Sequence, residues 1–173
     1  MRTFVSEIRQ DKGFTMIELI IGLAIAGFLS LAVSMAVYEL FVVNASASNQ
    51  TMAVRQVQNV GYWISRDSLG AQTIIEENDP DTPDFLILRW SDWSGVDYEA
   101  YYYFEGDELR RSYTVGEDAP VYSTVAEHID VEETTFIDSG AAWILTVKAT
   151  VGDFPWPVSE TRTYEVLPRP PSI

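Results

Sequence analysis

The amino-acid sequence predicts an α+β fold, a long N-terminal helix packed on an antiparallel β-sheet domain. Three observations point there. From Phe14 to Val43, thirty residues carry only two charges, Glu18 and Glu39. Val54, Val57, Val60, Gly61 and Ile64 then recur at three- and four-residue spacing, which makes one apolar helix face. Beyond Gly70 the chain breaks into apolar runs of strand length, separated by Gly-, Pro- and Asp-bearing turns.

The first apolar run comes at the start of the helix. A bilayer core is crossed by ~20 apolar residues rising ~1.5 Å each, so Phe14–Val37 is long enough to span. Gly22 and Gly27 interrupt it, but no proline does. Asn44–Asn49 is small and polar without glycine or proline, so the helix continues through it. Leu69-Gly70 supplies the stop, with Gly70 expected in the left-handed cap position. The predicted helix is Phe14–Leu69, 56 residues and roughly 84 Å long at ~1.5 Å each. Residues 14–43 form its membrane segment and 44–70 its amphipathic continuation.

Residues 71–167 read as the β-domain. Thr73–Ile75 is followed by the acidic loop Glu76–Asp84, then by the strand Phe85–Trp90. Val96–Phe104 turns through Glu105–Glu108 into Leu109–Val115, a hairpin. A short strand falls within Val121–Val131 and another at Thr134–Ile137. Trp143–Val151 and Val158–Leu167 form the last pair, joined by Gly152–Pro157. In the tail, residues 168–173, three prolines cannot continue a sheet ladder.

Charge and composition exclude whole classes. The chain carries 26 acidic and 11 basic residues, a formal net charge of -15. Phosphate neutralisation by a basic surface is therefore not available, and no bound nucleic acid is expected. There are no cysteines, so disulfides, thiolate metal sites, cysteine nucleophiles and a lipoprotein anchor are all impossible. Arg2, Arg9 and Lys12 precede the apolar run, and the next basic residue is Arg55. The positive-inside rule then puts the N-terminus in the cytoplasm and the C-terminal domain outside. A secretory signal cleaved near Ala45-Ser46-Ala47 competes with this. Its apolar core would be about twice the usual length.

Chemistry-bearing constellations are few. His128 is the single histidine. No Gly-x-Ser-x-Gly elbow presents a nucleophile to it, and no glycine-rich phosphate loop or histidine pair is present. No catalytic residue, cofactor site or metal site is therefore assigned. Asp79, Asp81 and Asp84 are hard oxygen donors of the kind calcium takes, but they lack EF-hand spacing and read as a solvated turn. Trp90, Trp93, Tyr98, Tyr101, Tyr102 and Tyr103 crowd into fourteen residues. Strand alternation puts Tyr101 and Tyr103 on one face and Tyr102 on the other. Most of these rings are expected in the core, and an exposed subset would suit an interface.

Gly13 followed by Phe14-Thr15-Met16-Ile17-Glu18-Leu19, after a short basic leader, resembles the prepilin signal of the type IV pilin and type II secretion pseudopilin superfamily. The resemblance implies that residues 1–13 are a leader peptide. It implies cleavage between Gly13 and Phe14 by a prepilin peptidase, then N-methylation of Phe14. It further implies that Glu18 of an incoming subunit meets the Phe14 amine of its neighbour during assembly. Many pilins carry a proline about twenty residues into the mature chain. Here Leu31-Ala32-Val33-Ser34-Met35-Ala36 has none, which puts local melting of the helix there in doubt, although Gly27 could still weaken it. The hairpin Tyr101–Arg111 and the stretch Arg55–Ala71 are similar to the J-type minor pseudopilins.

The expected function is thus a structural subunit in the inner membrane, partnered by prepilin peptidase and other pilin or pseudopilin subunits. It assembles into a pilus or pseudopilus, as a minor tip or initiation subunit rather than the repeated one. Two other classes compete. One is a membrane-anchored binding module with an aromatic ligand face, and the other an anchored hydrolase using His128.

Overall fold

Helix α1 runs from Met16 to Ser68, 53 residues without a proline. The computed structural model describes residues 13–76, 84–153 and 156–168. It divides into two compact units, Met1–Asn44 and Ala45–Ile173.

In the first unit the helix buries nothing against its own chain. Ile20, Leu23, Phe28 and Leu31 are 58%, 66%, 74% and 65% exposed. An 18-residue window here has a mean hydropathy of 2.4, which suits a single-pass membrane anchor. Its two serine hydroxyls are satisfied within the helix. Ser30 Oγ donates to the Ala26 carbonyl and Ser34 Oγ to the Ser30 carbonyl, each at 2.8 Å. Neither presents an unsatisfied polar group to an apolar solvent.

The second unit uses the rest of α1 as the spine of its core. Ala53, Val57, Val60, Gly61 and Ile64 are buried. Val54, expected on this face, is only half-buried. The step of four back from Val57 falls on Ala53, which takes the core position instead. The helix end also differs from expectation, since Gly70 is not in a left-handed conformation. The Gly70 and Ala71 amides donate to the Asp67 and Ser68 carbonyls at 3.1 Å each. This tightened i to i-3 turn satisfies the terminal carbonyls, so no left-handed residue is needed.

Among the described residues eight strands follow: β1 Thr73–Glu76, β2 Asp84–Ser91, β3 Asp97–Glu105, β4 Glu108–Val115, β5 Val121–Ala126, β6 Thr135–Asp138, β7 Trp143–Val151 and β8 Val158–Val166. All neighbours are antiparallel. In place of one sheet there are two, ordered β1-β2-β3-β4-β5 and β6-β7-β8. The break has a local cause. His128 adopts a positive φ of 60°, and Ile129 then bridges Ala149 on β7. The Ile129 amide donates to the Asp107 carbonyl at 2.8 Å, and the Thr150 amide to the His128 carbonyl at 2.9 Å. The chain thus leaves β5 and attaches to β7, which starts the second sheet.

Both sheets contribute to one core with the helix. Leu86, Leu88, Ala100, Tyr102, Leu109, Phe136, Leu145 and Val147 lie there with Val57, Val60 and Ile64. Tyr164 from β8 packs on the helix at Gly61. A Cβ at position 61 would fall 2.6 Å from the ring's Cε atoms, so only glycine permits this approach. The Tyr164 hydroxyl then donates to the Val57 carbonyl at 3.0 Å.

Candidate functional site

The N-terminal motif is built around a helix cap. Thr15 precedes the first helical residue, and the Leu19 amide donates to its carbonyl at 3.2 Å. The Thr15 amide and hydroxyl both donate to Glu18 Oε2, at 2.9 and 2.8 Å. The Glu18 amide returns a bond to Thr15 Oγ1 at 3.3 Å. This is a reciprocal capping box, in which a threonine at the N-cap and a glutamate three residues on satisfy each other's backbone donors.

The cap fixes what flanks it. Gly13 and Phe14 lie ahead of the first turn, outside the helical ladder, and Phe14 is 88% exposed. Among the described residues nothing lies within 4 Å of where a Gly13 Cβ would sit, so the fold does not demand glycine there. Glu18 is held with one oxygen occupied. Its Oε1 has no hydrogen-bond partner among the described residues. The Gly13–Phe14 peptide, the Phe14 side chain and one carboxylate oxygen are thus presented together at one helix end.

The other predicted candidates fall elsewhere. Nδ1 of His128 lies 3.2 Å from Asp107 Oδ2, and no serine joins it among the described residues. Asp79 and Asp81 lie outside the described residues, as do Arg2, Arg9, Lys12 and the tail from Arg169. Asp84 accepts a hydrogen bond from the Tyr101 hydroxyl. The alternation of the tyrosines is as expected: Tyr102 is buried, while Tyr101 and Tyr103 stack at 5.2 Å on the opposite face. Trp93 is 98% exposed, whereas Trp90 stacks on Tyr98 at 5.6 Å.

The polar centre of the second unit was not singled out by the sequence. Arg111 Nε lies 2.7 Å from Asp67 Oδ2, with both side chains buried, and the Tyr102 hydroxyl donates to the same oxygen at 2.6 Å. The Arg111 guanidinium also lies between the rings of Trp63 and Tyr113, at 5.0 and 4.3 Å. Burial pulls the Arg111 pKa down, but the hydrogen bond and charge of Asp67 outweigh it and the net shift is upward. Burial, followed by the Asp67 charge, pushes the Tyr102 phenol well above its ordinary range. The group is a clasp between the end of α1 and strands β3 and β4. Breaking a buried pair of this kind by removing one partner leaves an uncompensated charge.

Residues 8–34 match the family model of the prokaryotic N-terminal methylation motif. With the long apolar helix, that match supports the type IV pilin and pseudopilin family, whose members are structural subunits. Such a motif implies processing by a prepilin peptidase and assembly with other pilin subunits. No curated protein and no solved structure matches the chain.

Proposed function

We propose that this protein is a structural subunit of a type IV pilus or type II secretion pseudopilus, cut between Gly13 and Phe14 and N-methylated on Phe14. The observation that carries this reading is the methylation-motif match at residues 8–34, on a helix whose apolar side chains find no partner in their own unit. In this reading residues 1–13 are the leader, 14–43 the span and 44–70 the amphipathic half. Residues 71–167 are the outward β-domain, and 168–173 its tail. The leader stays cytoplasmic and the β-domain is exported across the inner membrane. The chain is a substrate of the peptidase and methyltransferase, and it needs no cofactor.

The capping box supports an assembly role for Glu18. Cleavage leaves a charged amine on Phe14, close to the positive end of the helix dipole. Burying that amine in a low-dielectric filament core is costly unless a carboxylate meets it. Thr15 holds Glu18 Oε2 and leaves Oε1 for a neighbour's amine, so one carboxylate caps its own helix and pairs across the interface. Thr15 is then a positioning residue. The hairpin likeness of Tyr101–Arg111 supports the finer reading, a minor subunit at the tip or start of the filament.

Glu18→Gln keeps the shape and removes the charge. The expected result is a chain still cleaved after Gly13 that fails to enter filaments. Normal filament incorporation of the variant would contradict the role assigned to Glu18.

A further inference from the structure

Five of the seven lysines and arginines among the described residues are ion-paired: Arg89, Arg110, Arg111, Lys148 and Arg162. Arg55 and Arg66 are not. Eleven residues apart, they lie about three turns apart on one side of α1. Tyr62 between them and Leu69 beyond them are 60% and 66% exposed. Beside this stripe opens a groove of about 640 Å³, with Tyr62, Arg66 and Leu69 on one wall and Arg162 and Tyr164 of β8 on the other. Strand β8 pairs only with β7, so its outer edge has no strand partner among the described residues. Arg162 is held by Glu160, so Arg66 is the guanidinium without an ion pair at this apolar groove, which suits a segment that carries carboxylates beside apolar side chains.

The chain itself displays such a segment. Every residue from Glu117 to Thr124 is exposed. Glu117 and Asp118 have no ion pair among the described residues, and Val121 and Tyr122 just after them are 66% and 64% exposed. This segment leads into β5, which also pairs on one side only. An exposed strand edge is a template for another chain, and here charge of one sign meets charge of the other.

We infer that a second copy of this chain docks its Glu117–Tyr122 segment in the groove between α1 and β8. The carboxylates of Glu117 and Asp118 face Arg66, and Val121 and Tyr122 cover Tyr62 and Leu69. Two different patches meet, so the contact is heterologous. The inference deepens the subunit reading and rests on it.

Because the chain lacks cysteine, single Tyr62→Cys and Tyr122→Cys variants of the full-length protein are clean probes. Mixed in detergent and oxidised, they should form the mixed disulfide about tenfold faster than Tyr62→Cys with Trp93→Cys, the equivalent of a ~1.4 kcal/mol preference. Adding Arg66→Glu to the Tyr62→Cys chain should abolish that preference, and adding Glu117→Arg to the Tyr122→Cys chain should restore it. Equal rates with Trp93→Cys, or no response to Arg66→Glu, would overturn the contact. Intact mass of the same samples separates the two readings. A chain methylated at Phe14 without the preferred disulfide removes the contact and keeps the subunit. The preferred disulfide in a chain not cut at Gly13 keeps the contact and removes the subunit reading.

Discussion

One helix serves two regions that solve opposite problems. Up to Asn44, α1 leaves its isoleucines, leucines and phenylalanines exposed and bonds its two serine hydroxyls internally. From Ala45 onward the same helix buries Ala53, Val57, Val60 and Ile64 against its own two sheets, and it turns Arg55, Tyr62 and Arg66 outward. The first region leaves its apolar face uncovered within its own unit, as suits a single-pass membrane anchor. The second is complete by itself, with a core and a buried charge clasp. Substitutions should therefore separate the regions: those in the core and clasp of the second change unfolding, and those in the first change partners.

The largest effect belongs to the clasp. Asp67→Ala leaves Arg111 buried without its carboxylate, and loss of about 3–5 kcal/mol of stability is expected. Urea unfolding in detergent, followed by tryptophan fluorescence, measures it, and cleavage after Gly13 should be untouched. A loss below ~1 kcal/mol would mean that solvent reaches Arg111 after all.

Next in size is Gly61→Ala. The added methyl meets the Tyr164 ring, and overpacking of this kind costs about 1–3 kcal/mol. The double variant with Tyr164→Ala should recover part of that loss, since the clash is removed. No recovery would place the strain elsewhere.

Thr15→Ala sharpens the other side of the comparison. Loss of an N-cap costs about 0.5–2 kcal/mol locally, confined to the first turn. Unfolding of the second unit should not move, while filament incorporation falls because Glu18 is no longer oriented. Incorporation at the wild-type level would show that Glu18 finds its partner without the cap.

The mildest probe is alkaline pH. Tyr102 has a raised pKa in the folded chain, so the folded state holds its proton more tightly than the unfolded state. Its contribution is fully present below the unfolded tyrosine value of about 10 and is lost as pH rises beyond it. Unfolding midpoints should thus fall above about pH 10. Tyr102→Phe should flatten that fall.

The first region was legible because its signals are local. Apolar length and the motif matched at residues 8–34 sit within adjacent residues. The capping box carries a local signature too, Thr15 three residues before Glu18. The strands followed from runs and turns, and the alternation of Tyr101, Tyr102 and Tyr103 followed from the pleat. What local pattern did not reveal depends on distant pairs. Asp67 and Arg111 are 44 residues apart, and nothing near either residue announces the other. The division into two sheets turns on one residue, His128, whose positive φ has no sequence signature. Gly70 misled because glycine after a helix favours a left-handed cap, whereas here the last turn simply tightens.

The most direct test of the central claim is the intact mass and N-terminal sequence of membrane-extracted protein, with and without active prepilin peptidase. The prediction is a mature chain that begins at N-methylated Phe14 when the peptidase is present, and the full precursor when it is absent. A chain that keeps Met1 beside an active peptidase would contradict it, leaving a plain membrane-anchored domain. Cleavage after Ala47 would contradict it as well, because the chain would lose Glu18 and the apolar helix together.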